Sequence, residues 1–176
     1  MAVVSILSAQ LTNAYAQPVV FSNPNQAPSN DVNERAVVAT GATDSAGSIY
    51  RLFRVASNSC IADFQVMNDA NTGGTSYKVG VYLVGAPGST GGAVPVTFAD
   101  QILASAVSMA AARSVWTSLY FPAILNATGS PANITLRIWE LLGLTSDPGG
   151  MYDVGIAAVT PGSAGGNIAV QLSYSR

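Results

Sequence analysis

Histidine is absent from this chain of 176 residues, cysteine occurs once, as Cys60, and lysine once, as Lys78. Without histidine there is no Ser-His-Asp or Cys-His catalysis and no imidazole for a metal site. A single cysteine excludes both a zinc cluster and the intrachain disulfide framework of a small secreted protein. Charge is scarce as well: only 9% of residues are Asp, Glu, Lys or Arg, against about 25% in an ordinary soluble domain. Seven Lys and Arg against nine Asp and Glu leave a net charge of −2 with no basic tract. Nucleic-acid affinity rests on neutralising phosphates, so direct binding of DNA or RNA is not expected. No run approaches the ~20 apolar residues of a membrane-spanning helix, and no membrane partner is expected.

What is there is an apolar fraction of 49%. With so little charge, much of the exterior has to be Ser, Thr, Asn, Gly and Ala, and such a surface is suited to being covered by a partner. The length fits one domain, able to bury roughly 70% of the surface its unfolded chain exposes.

The first residues, "MAVVSILSAQLTNAYAQ", end in an Ala-Tyr-Ala that resembles a signal-peptidase site. No positive residue precedes the apolar run, however, and Ser8, Gln10, Thr12 and Asn13 break it after Leu7, so the segment reads as an extended arm. "NPNQAPSNDVN", Asn23 to Asn33, is polar and turn-rich. Residues 1–33 are therefore expected to form an N-terminal arm and linker, and residues 34–176 a β-sandwich domain.

Strand-like segments separated by Gly, Pro, Asn and Ser clusters run over Arg35–Ala42, Ser48–Val55, Cys60–Met67, Tyr77–Val84, Val115–Phe121, Met151–Val159 and Ile168–Tyr174. Gln101 to Ala112 fits helix by its alanines and strand by its alternation, and is read as strand. Period-2 alternation puts Tyr77, Val79, Val81 and Leu83 on one core face, and Ile168, Val170, Leu172 and Tyr174 on another. "TPGSAGG" between the last two strands has hairpin-loop content, which predicts an antiparallel C-terminal pair. The fold expected is all-β: an antiparallel β-sandwich of jelly-roll type with one short helix, a closed barrel being the alternative. That helix is placed after Ser130 or Asn133 as cap, with Ile134, Ile138, Leu141 and Leu142 at helical spacing, Gly143 ending it and Trp139 burying area over an open end of the sandwich.

No constellation of side chains specifies a reaction. Glu140, Asp147 and Asp153 supply oxygen ligands but fit no calcium loop, and turn chemistry accounts for them. Asp63, Asp69 and Asp100 have no spacing that would pair two of them across a glycosidic bond. In "IYRLFRV", Arg51 and Arg54 are expected on opposite faces of a strand, with Lys78 opposite the apolar face of its own. Asn126-Ala-Thr and Asn133-Ile-Thr match the glycosylation pattern without further support. No catalytic residue, cofactor or metal is expected.

The blocks "YRLFRVASNSCIADFQVMND", "YKVGVYLV", "GGAVPVTFADQILASAVSMAAA" and "LRIWELLGLTSDPGGMYDVGIAAVTPGSAGGNIAVQLSY" resemble, in their order, small structural proteins of tailed-bacteriophage heads, the capsid decoration or cement proteins. The resemblance runs from about Ser48 to Tyr174. It implies a non-enzymatic virion protein, assembled in the host cytoplasm, that sits on the capsid exterior as a homo-oligomer, dimer or trimer, and bridges major capsid protein subunits. The arm would then be a strap, with Val3, Val4, Ile6, Leu7, Val19, Val20 and Phe21 as its candidate contacts. A rival reading is another virion part, such as a head-fibre base, a neck protein or a receptor-binding module, in which Trp116, Tyr120 and Phe121 would stack a sugar.

Overall fold

The computed structural model describes residues 5–7, 31–42, 44–71, 75–84, 102–119 and 136–175. Among the described residues nine strands and one helix follow in chain order: β1 Ser5–Leu7, β2 Asp31–Thr40, β3 Ile49–Ala56, β4 Cys60–Asn68, β5 Ser76–Leu83, β6 Ala104–Ser108, β7 Arg113–Ser118, α1 Ile138–Leu141, β8 Met151–Thr160 and β9 Gly166–Ser175. They form a five-stranded sheet ordered β1-β3-β8-β5-β6 and a four-stranded sheet ordered β2-β9-β4-β7.

The pairs β2/β9, β3/β8, β4/β7 and β5/β6 are all antiparallel and nest one inside the next. The chain is thus a long hairpin, β2 to β5 running out and β6 to β9 returning, wrapped so that successive pairs fall in alternate sheets. That is the jelly roll, and it realises the fold expected from the sequence. The hairpin expected at "TPGSAGG" is not formed. β8 has both edges taken, by β3 and β5, and β9 lies between β2 and β4, so the loop carries the chain from one sheet to the other. Composition read the turn correctly but could not name the strand's partner.

The core lies between the sheets. Ile168, Val170, Leu172 and Tyr174 all point into it, meeting Ile61, Phe64 and Val66 on β4 and Val79, Val81, Val154 and Ile156 from the opposite sheet, each at most 1% exposed. Burying each such aliphatic or aromatic side chain contributes about 1.5–3 kcal/mol. Tyr77, Val79 and Val81 face inward as expected, but Leu83, the last residue of β5, is 40% exposed at the sheet's rim. In the connection from β2 to β3 a carboxylate is also buried: Asp44 accepts hydrogen bonds from the Gly41 backbone N–H at 2.7 Å and from the Tyr50 hydroxyl.

The helix is far shorter than its periodicity suggests. Arg137 is extended (φ −71°, ψ 160°) and bridges to Cys60, so α1 starts only at Ile138 and is one turn long. Pairing with β4 overrides local helix propensity there. Ser130, Asn133 and Ile134 lie outside the described residues. Ile138 N–H donates to the Ser59 carbonyl at 2.9 Å and Trp139 N–H to that of Ser57 at 3.2 Å, seating the turn on the β3–β4 connection. Ile138 and Leu142 are buried beneath it, while Trp139 is only half-buried. Gly143 ends the turn at φ +71°, where a side chain would be strained.

Candidate functional site

Outward-facing positions of the four-stranded sheet are in register from strand to strand, and they form rows across it. Asn33, Ser173 and Asp63 make one row; Arg35, Gln171, Gln65 and Ser118 the next; Val37, Ala169 and Met67 a third; Ala39 and Asn167 a fourth. Their side chains are exposed or half-exposed, with Val37 at 60%. Arg35 and Asp63 are the only charged groups in these rows.

Within this face the polar groups bond to one another. Arg35 Nε donates to Gln171 Oε1 at 2.8 Å, and Asn33 Oδ1 accepts from Gln171 Nε2 at 3.0 Å and Ser173 Oγ at 2.8 Å. Asp63 accepts from Ser118 Oγ and Gln65 Nε2, both at 2.6 Å, and from the Phe64 N–H at 2.8 Å. Across the sheet the Arg35 guanidinium carbon lies 5.6 Å from the centre of the Trp116 ring, a cation–π arrangement. The indole that the sequence offered for sugar stacking therefore already has a planar cation on it. Tyr120 and Phe121 lie outside the described residues. The result is a prearranged polar face with an apolar row, able to be covered without stranding a charge.

On the five-stranded sheet the outward positions are different. Arg51 and Arg54 were expected on opposite faces, but a register shift between Arg51 and Phe53 inserts one residue into β3 and turns both arginines to the same side. There they converge on Asp153 of β8: Arg51 Nη1 reaches Oδ2 at 2.9 Å and Arg54 Nε reaches Oδ1 at 2.8 Å. Asp153 and Arg51 are buried, at 0% and 1% side-chain exposure, and Arg54 retains 20%. Arg51 also donates to the Leu83 carbonyl and lies 5.8 Å from the centre of the Tyr82 ring. Lys78, on the same side, is half-buried. The sequence does carry one signal of this cluster: two arginines within an almost unbroken apolar strand of a chain with so little charge.

The other carboxylates named from the sequence are held apart. Glu140 accepts from the Arg137 N–H at 2.7 Å, and Asp147 accepts from Ser57 Oγ at 2.6 Å and the Gly149 N–H at 2.9 Å. The Ser57 hydrogen bond, helped by Gly149, holds the Asp147 carboxyl below the usual range. Asp69 accepts from the Asn167 backbone and side chain, both at 3.0 Å, separate from the partners of Asp63. Asp100 lies outside the described residues. Among the described residues no three His, Cys, Asp or Glu side chains are grouped to hold a metal ion.

Of the arm positions, Ile6 and Leu7 fall in β1, which pairs in parallel with β3, Ile6 against Tyr50 and Leu7 against Arg51. Val3, Val4, Val19, Val20 and Phe21 lie outside the described residues.

No protein-family model matches this sequence, and no curated protein matches it. Among solved structures the chain is similar to one in the capsid of Ralstonia phage GP4, with a TM-score of 0.60 and 17% identity over 98% of this chain and 97% of that one. At that identity the likeness is one of fold, and it extends end to end. A chain of the cyanophage Pam1 capsid asymmetric unit overlaps 91% of this chain and 95% of its own length at 13% identity, with a TM-score of 0.39 that is too low to argue from.

Proposed function

We propose that this chain is a non-enzymatic structural component of a phage virion, binding the outer surface of an icosahedral capsid and bridging neighbouring major capsid subunits. The observation that carries the reading is the jelly-roll correspondence with a chain of a phage capsid, which leaves almost no residue of either chain over. The ordered sequence blocks from Ser48 to Tyr174 support it. A protein repeated many times over a shell gains avidity from individually weak contacts, so a charge-poor face suffices. The N-terminal arm acts as the strap, and its β1 pairing on the edge of β3 supports an arm that adds strands to sheet edges.

The test is co-sedimentation of the purified chain with phage shells that lack it. The expected result is saturable binding that raises the temperature at which the shells rupture, and loss of that binding when residues 1–22 are deleted. Absence of binding at micromolar protein would overturn the reading. Retention after the deletion would remove the arm from it. A fibre-base, neck or receptor-binding role is the competing assignment, and binding on a glycan array would favour the receptor module.

A further inference from the structure

We infer that the outer face of the four-stranded sheet binds the same face of a second copy of this chain. The inference deepens the virion reading by giving a face and a twofold axis to the self-association that the resemblance implies, and its test is separate from that of shell binding. The strands lie in the order β2-β9-β4-β7, so a twofold axis lying in the face, parallel to the strands and midway between β9 and β4, has a simple consequence. It sets β2 over β7 of the second copy and β9 over its β4. Aligned stacking of two sheets at about 10 Å is an ordinary mode of sheet packing.

Rotation about an axis parallel to the strands leaves every row at its own height, so each row meets itself. In the apolar row Ala169 comes over Met67 of the second copy; in the next, Gln171 comes over Gln65, two amides that can exchange hydrogen bonds. Arg35 comes over Ser118, whose hydroxyl is bonded to Asp63 in the adjacent row. Each guanidinium is thereby brought within reach of the other copy's carboxylate, and the twofold makes that contact twice. Arg35 and Asp63, the charged groups of these four rows, are thus complementary to each other under one rotation, which is why a second copy is the occupant; Asp31, also outward on β2, lies in register with Ser175 and Cys60 beyond them. Four strands about 4.8 Å apart and four rows about 6.8 Å apart cover roughly 500 Å² a side. Both sides together come to about 1,000 Å², the lower end for a specific interface, so the dimer is a weak one.

Sedimentation velocity of the full chain from about 1 to several hundred micromolar tests this. The wild type is expected to pass from monomer to dimer across that range. Arg35→Asp and Asp63→Arg are each expected to raise the dissociation constant at least tenfold. An equimolar mixture of the two variants is expected to recover dimer, because each mixed pair restores both contacts. Ala169→Glu, which touches neither charge, is expected to abolish the dimer while leaving the melting temperature in place. A wild type that stays monomeric throughout, or a dimer unaffected by all three substitutions, would overturn the inference. Either result would leave shell binding, measured separately, where it stood.

Discussion

The two outer faces of this sandwich use similar residues to opposite ends. Each sets arginine and aspartate side chains beside an aromatic ring: Arg51, Arg54, Asp153 and Tyr82 on the five-stranded sheet, Arg35, Asp63 and Trp116 on the four-stranded one. On the first the ions are buried and bond directly. On the second they are solvated and reach amides and hydroxyls instead. Placement in the fold, rather than residue type, decides whether a charge acts on stability or is left available for contact. In water an ion pair gains little over its hydrated parts, whereas a buried ion that loses its partner keeps the whole desolvation cost.

The largest effect should therefore come from Asp153→Asn. It removes the carboxylate that the buried Arg51 and its neighbour Arg54 share, and breaking a buried pair typically costs 3–5 kcal/mol. For a chain of this size that corresponds to a fall in melting temperature of roughly 10 °C. Urea denaturation checks it, and a loss under 1 kcal/mol would mean that this face is as wet as the other and that the comparison fails.

Gly155→Ala tests the same face sterically. Gly155 pairs with Arg51 on one side and Gly80 on the other, and an added Cβ would stand 2.4 Å from the Tyr50 carbonyl oxygen. Backbone must move to admit it, so a loss of about 1–3 kcal/mol is expected in the same denaturation assay.

Alkali probes the core through its buried phenols. Burial, reinforced by the Asp44 carboxylate, raises the Tyr50 phenol above its ordinary value, and burial raises those of Tyr77 and Tyr152. In the unfolded chain these phenols ionise near pH 10, while the folded chain keeps their protons. The unfolded state then binds fewer protons than the folded one, so stability falls as the pH rises above about 10, by up to about 1.4 kcal/mol per pH unit for each phenol. Urea midpoints measured between pH 8 and 11 should be level at first and then decline, and Tyr50→Phe should make the decline shallower.

The contrast between the faces also explains how much could be read beforehand. Alternation is written directly into the chain: Ile168, Val170, Leu172 and Tyr174 are all core, and strands β3, β4 and β9 begin and end within two residues of where the pattern put them. A jelly roll follows from such strands and their spacing. Partners are another matter, because "TPGSAGG" looks the same whether it joins two neighbours or two sheets. The bulge after Arg51 left no mark in composition, and without it Arg51 and Arg54 point apart. The rows of the four-stranded face were equally hidden. Asn33, Gln171 and Gln65 carry no periodic apolar signal, and they become one surface only through the register of strands far apart in sequence. The short helix shows the same limit, since a bridge from Arg137 to Cys60 overrides a pattern that is locally helical.

The smallest effect is expected where the solvated face is cut. Arg35→Ala removes the hydrogen bond to Gln171 and the guanidinium over Trp116. Both groups face water, so the chain should lose no more than about 1 kcal/mol, the range of exposed ion and cation–π contacts. The same denaturation series that registers Asp153→Asn as a large shift should barely move for Arg35→Ala. A loss above 2 kcal/mol would show that the row of polar bonds supports the fold itself. Near-neutrality would mean that stability sets little constraint on Arg35, which is the condition a residue kept for contact has to meet.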